Sequence, residues 1–168
     1  IMTQLWLGGE HYKWRLMRWC GIDERYITGN ATDREKFDAF ALALPKAIGN
    51  PVYHWAHLEL RRYFDCDLAL GPGTAEEVWR HCNAKLQAGL TVKKIIEASH
   101  VKALCTTDDP ADGLPWHRQL GRDASFCTKV LPAFRPDKAG NVHKPGFAAY
   151  LPQLSGVWGK PVQAFAAS

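Results

Sequence analysis

The sequence predicts an α/β protein in which a mainly helical segment, residues 1–99, precedes a βαβα segment, residues 100–168. Three observations carry that prediction. Apolar residues recur at helical spacing through most of the first hundred positions. Two short apolar runs then appear, Val101 to Cys105 and Val130 to Phe134, each breaking into a polar cluster. Buried parallel strands read in this way, and the interval between the runs leaves room for one helix. The length, 168 residues, allows one domain with a sizeable core.

Each element has its own signal. Residues 10–20 place Trp14, Leu16, Met17 and Trp19 in a short helix opened by Gly8-Gly9 and stopped by Gly21. Thr32 or Asp33 can cap the next helix, which repeats Phe37, Phe40, Ala41 and Leu44 until Pro45 interrupts it. "PVYHWAHLELRRYF" follows a proline and repeats Val52, Trp55 and Leu58. After Gly71-Pro72-Gly73, Thr74 with Glu77 three residues later reads as a capping box. "TVKKIIEASH" is a further helix with Thr91 as its candidate cap. Beyond it come strand, helix ("PWHRQLGRD"), strand, and a short helix in "KPGFAAYLPQL", with a right-handed crossover expected.

Composition narrows the function classes. The net charge of +4 is spread along the chain, too weak and too dispersed to indicate nucleic acid. Five cysteines, an odd number without a CxxC pair, fit free thiols in a reducing compartment, so a cytoplasmic location is expected. No run of 18 apolar residues is present, and no signal peptide opens the chain, so no membrane partner is expected. The start at Ile1-Met2 and the end in "QAFAAS", without a capping or stop signal, read as a piece of a longer polypeptide.

Ligands gather at the carboxyl ends of parallel strands, and Asp108, Asp109, Arg135 and Asp137 fall there. Arg135 follows an apolar strand and precedes a rigid proline; it is either an anion ligand or a surface arginine paired with Asp137. Asp108 and Asp109 can cap the next helix or brace the loop before it, act as a general base, or contact a substrate hydroxyl, with Thr106 and Thr107 equally eligible for that contact. "WLGGEHYKWR" puts His11 and Tyr12 at a helix start, whose positive end favours an anion, after two glycines that permit close approach of a ligand. The bland alternative is packing against a loop. Lys13 and Arg15 read as a solvated or salt-bridged face, and Trp14 as core. His54 and His57 stand one turn apart, but two ligands do not make a metal site, so a structural hydrogen-bonding role is expected. Cys105 sits in a strand with no paired base in view.

Taken together and in this order, "LWLGGEHYKWRLMR", "YITGNATDREKF", "GNPVYHWAHLELRRYF", "CTTDDPADGLPWH" and "VLPAFRPDKAGN" resemble the uronate isomerase (glucuronate isomerase) family. The resemblance implies a TIM-barrel branch of the amidohydrolase superfamily. On that basis the expected fold is a partial TIM (β/α)8 barrel, about two parallel strands, with a large α-helical insertion. The implied reaction interconverts D-glucuronate with D-fructuronate and D-galacturonate with D-tagaturonate. By resemblance, Arg135 holds the substrate carboxylate, Tyr12 shares it, and His11 lies close to the sugar; Asp108 is a further candidate.

The family's His-x-His metal pair has no counterpart here, since no His-x-His occurs. The resemblance therefore implies a divalent metal, zinc, whose ligands lie outside this chain, and a chain inactive alone. The implied partner is a small hexuronate, with no nucleic acid and no membrane; a homo-oligomer is compatible. Two alternatives remain at this point: a metal-dependent hydrolase of the same superfamily, and a non-catalytic helical interaction domain.

Overall fold

The computed structural model describes residues 1–162; the "QAFAAS" stretch lies outside the described residues. The chain divides into two units, Ile1–Ile95 and Ile96–Ser168.

The first unit is helical. It contains α1 (Met2–Leu7), α2 (His11–Trp19), a 3-10 turn at Glu24–Tyr26, α3 (Asp33–Ala43), a second 3-10 turn at Leu44–Ala47, α4 (Pro51–Phe64) and α5 (Ala75–Gln87). Helix α6 (Val92–Ala98) follows, capped by Thr91, whose hydroxyl accepts from the Lys94 N–H. Helix α1 has no counterpart in the sequence reading. Six residues cannot hold a helix by propensity alone. Burial stabilises it: Met2, Thr3, Trp6 and Leu7 all face the core. Trp6 meets the edge of Phe40 at 5.6 Å between ring centroids, and Phe37 lies 5.0 Å from Trp79. Each large side chain so enclosed contributes about 1.5–3 kcal/mol.

Helix ends show where local pattern suffices. Thr32 and Glu35 form a reciprocal capping box on α3. Gly21 closes α2 at φ +77°, with the Ile22 N–H returning to the Met17 carbonyl at 3.0 Å. Pro45 falls in the 3-10 turn that ends α3, as its missing N–H requires. The box expected at Thr74 does not form. The Thr74 hydroxyl accepts from the Gly71 N–H at 3.0 Å and donates to the Ala69 carbonyl at 2.7 Å. It closes the Gly-Pro-Gly turn and is no longer available to the first turn of α5.

The second unit holds β1 (Ala103–Asp108), α7 (Pro115–Arg122), β2 (Lys129–Phe134), α8 (Asp137–Gly140) and α9 (Phe147–Trp158). Its two strands are parallel, in register from Ala103↔Lys129 to Asp108↔Phe134. Strand β1 starts two residues later than its apolar run and continues through Thr106, Thr107 and Asp108. Backbone pairing carries it on, because ladder hydrogen bonds do not depend on side-chain polarity. The strands are not buried on both faces, as their apolar runs had implied. Along β1, exposed and half-buried residues alternate, and Cys105 is exposed with Ala103 and Thr107. None of the helices among the described residues is long and apolar enough to cross a membrane.

Candidate functional site

In the first unit, the start of α2 carries His11 and Tyr12 as its first two residues. Glu10 caps the helix, its carboxylate accepting the Tyr12 N–H at 3.0 Å. The positive end of α2 therefore already holds an anion of its own. Both rings remain accessible: Tyr12 is 52% exposed, stacked at a tilt on His11 (4.3 Å) and edge-on to Trp55 of α4 (6.4 Å). Gly8 serves the protein rather than a ligand. A Cβ there would stand 2.4 Å from the Gln4 carbonyl oxygen of α1, whereas nothing lies within 4 Å of a Cβ at Gly9.

Lys13 departs most from its expected place. It is salt-bridged, as one expectation had it, but it is not on a solvated face: only 6% is exposed. The buried stripe of α2 runs through Lys13, Leu16 and Met17, at i, i+3 and i+4, which turns Trp19 out to solvent. The Lys13 ammonium lies 3.8 Å from the Glu59 carboxylate and 5.1 Å over the Trp6 ring. Burial pushes its pKa down, and Glu59 and Glu10 only partly counter that. His57 is fully used by structure. Its Nδ1–H faces the Tyr53 carbonyl at 2.8 Å, while Nε2 accepts from the Leu70 N–H at 2.9 Å. His54 is exposed.

In the second unit, parallel register brings two sequence-predicted residues to one sheet end. The Arg135 N–H donates to the Asp108 carbonyl at 3.0 Å, extending the ladder one residue beyond β2. The Arg135 side chain is exposed and pairs through Nε with Asp137 at 3.0 Å. The bland alternative for Arg135 is thus present as a contact. A single bond through Nε leaves the terminal amino groups of the fork without a carboxylate among the described residues.

Asp108 and Asp109 do different things. Strand alternation puts Thr106 and Asp108 on one face, and the Thr106 hydroxyl donates to Asp108 Oδ2 at 2.6 Å. That hydroxyl also meets His117 Nε2 at 2.7 Å. A hydroxyl has one proton, so the His117 Nε2–H is the donor of the second bond. Neither aspartate caps α7, whose N-cap is Leu114. Asp109 braces its loop instead: its Oδ1 accepts from the Ala111 N–H at 2.9 Å and the Tyr150 hydroxyl at 2.8 Å, and Lys138 stands 3.5 Å from Oδ2. Burial raises the Asp109 pKa, but these hydrogen bonds and the lysine charge outweigh it and leave the carboxyl below its usual range. Tyr150 is pushed up to about 12, first by burial and then by its bond to that carboxylate. His117, Tyr150 and Lys138 had no sequence signal. Their partners are 11 to 41 residues away, and no periodicity links them.

A family model described as glucuronate isomerase matches residues 1–167. The chain belongs to the glucuronate isomerase family. It is 57% identical over 166 residues to a uronate isomerase of Lachnospira eligens, and 51% identical over 164 residues to one of Clostridium acetobutylicum. In each case 98% of this chain is matched, and it spans about a third of the relative's length (36% and 35%). Among solved structures, the uronate isomerase of Thermotoga maritima superposes with a TM-score of 0.83 at 41% identity, covering 89% of this chain and 33% of that one. A glucuronate isomerase of Caulobacter crescentus shares the fold, with a TM-score of 0.82 at 19% identity over 94% of this chain and 34% of its own. The parallel β1–α7–β2 unit is accordingly part of the TIM-barrel architecture of the family's enzymes.

The metal implied by that superfamily does not fit the residues present. Among the described residues, no three His, Cys, Asp or Glu side chains converge on a point where an ion could be held. The cysteines are free, and Cys82 is raised to about 12 by burial, which makes it a poor ligand and a poor nucleophile.

Proposed function

We propose that this chain supplies substrate-binding residues to a hexuronate aldose–ketose isomerase acting on D-glucuronate and D-galacturonate. In such a reaction a proton leaves C2, an enediol forms, and a proton returns at C1. The substrate carboxylate takes no part in the bond changes, so it needs a fixed cation away from the reacting carbons. The observation that carries the reading is Arg135: an exposed guanidinium just past the carboxyl end of a parallel strand, held through Nε alone. Its planar fork matches a carboxylate with two parallel hydrogen bonds.

His11 and Tyr12 are the hexuronate contacts of the first unit in this reading, as exposed rings at the start of α2. Asp108 is a further hydroxyl acceptor: Thr106 occupies Oδ2, and a carboxylate has capacity at its other oxygen. The divalent metal, zinc by resemblance, is taken to be held by residues outside this chain, and none of these roles runs through it. The free cysteines support a cytoplasmic location. A homo-oligomer is compatible with the reading.

The test is steady-state isomerisation of D-glucuronate by the whole protein that carries this chain. Arg135→Lys raises KM about tenfold to a hundredfold with kcat little changed, since one ammonium cannot replace the fork. An unchanged KM removes Arg135 from the site.

A further inference from the structure

We propose that Asp109, Tyr150 and Lys138 are positioning residues for Arg135, forming an anchor that holds the loop bearing the carboxylate-binding guanidinium. The inference rests on the assignment of Arg135 to the substrate carboxylate. Arg135 and Pro136 connect β2 to α8, and the two sides of that connection are tied to consecutive residues at the end of β1. At one end the Arg135 N–H donates to the Asp108 carbonyl at 3.0 Å. At the other, Lys138 pairs with Asp109 Oδ2 at 3.5 Å and lies 5.7 Å over the Tyr150 ring.

Helix α8 has only four residues, far too few to persist alone. What holds its first turn is therefore contact with its surroundings, and Lys138 is in that turn. The Asp109 carboxylate that receives Lys138 is itself fixed. Its side chain is 12% exposed, and the Tyr150 hydroxyl bonds it at 2.8 Å from α9. Tyr150, 4% exposed, is one of two buried residues in the second unit among those described, with Thr128. A buried hydroxyl on a charged acceptor is the stronger kind of hydrogen bond, and leaving either partner unpaired costs more than the bond itself gains. Released from this anchor, α8 frays. Asp137 then moves with it, and so does the Arg135 fork that Asp137 holds through Nε.

Tyr150→Phe removes one hydroxyl and keeps the ring; Lys138→Met removes the charge and keeps the stem. Each is made in the whole protein and read in two ways. Amide hydrogen exchange is expected to quicken at the Arg135 N–H by about threefold to tenfold, with the Leu131 N–H in mid-strand unchanged. KM for D-glucuronate is expected to rise about threefold to tenfold, with kcat within about twofold. Competitive inhibition by the neutral hexose of the same stereochemistry, which lacks the carboxylate, stays as in the wild type. A general structural defect would weaken both ligands. In an Arg135→Lys background, Tyr150→Phe adds no further rise in KM, because the fork it positions is gone.

Unchanged exchange at Arg135 in both variants overturns the anchor, as does an additive loss in the double variant. If the wild type converts no hexuronate while exchange at Arg135 still responds to Tyr150→Phe, the anchor stands and the substrate assignment falls.

Discussion

The two units are held together by different physics. The first has a continuous apolar core, with Trp6, Phe37, Phe40, Leu60 and Phe64 almost wholly enclosed. The second has only Thr128 and Tyr150 buried among its described residues, and both are polar groups with a hydrogen-bond partner. Its strands expose Leu131 and Phe134 to solvent. Hydrophobic burial is non-directional and insensitive to pH, whereas a network of carboxylate, phenol and ammonium is directional and titrates. The contrast places stability in one unit and a charge-dependent local order in the other.

The largest effect should come from cutting into the apolar core. Phe40→Ala is expected to cost about 3–5 kcal/mol in chemical denaturation, through lost burial and the cavity left behind. Leu131→Ala, on the exposed strand face (48%), is expected to cost less than about 1 kcal/mol. Equal losses for the two would erase the contrast between the units.

Acid sharpens it. The Asp109 carboxyl titrates below its ordinary value of 3.8, so its contribution is fully present above that value and is lost as pH falls through the lower, folded one. Amide protection around Arg135 and Ala111 should therefore drop as pH is taken from 5 towards 2, before protection at Leu60 does. Asp109→Asn should abolish that pH dependence. A wild-type acid response that the asparagine variant shares would mean another group is responsible. In the first unit, Glu24 is held at about 2 by Arg18 and Thr28, but on the surface and away from the core.

The smallest predicted effects concern helix ends. Thr32→Ala should destabilise the first unit by about 1 kcal/mol, since it breaks a formed capping box. Glu77→Ala should leave the denaturation midpoint where it is, because the corresponding box on α5 is absent.

Much of the fold was legible because its causes are local. The Thr32 cap, the Gly21 stop and the Pro45 interruption each act within a few residues. The parallel β–α–β order of the second unit followed from the change in hydrophobic pattern at residue 100. Helix α1 was not legible, because six residues depend on distant aromatic partners. Strand β1 was shifted because side-chain polarity marked its end, while the backbone ladder decides it. In the candidate site, the position of Arg135 beyond β2 was legible from "VLPAFRPD", but its anchor was not.

By itself, then, the amino-acid sequence determined the helices other than α1 and α8, the cap at Thr32, the pair of strands and the family to which the chain belongs. Four things were decided only by tertiary structure: the burial of Lys13 beside Glu59, the diversion of the Thr74 hydroxyl to its turn, the division of labour between Asp108 and Asp109, and the bond from Tyr150. The physical reason is the same in each case. A polar side chain takes whichever partner the fold brings within about 3–4 Å, and that partner is set by packing rather than by neighbours in the chain.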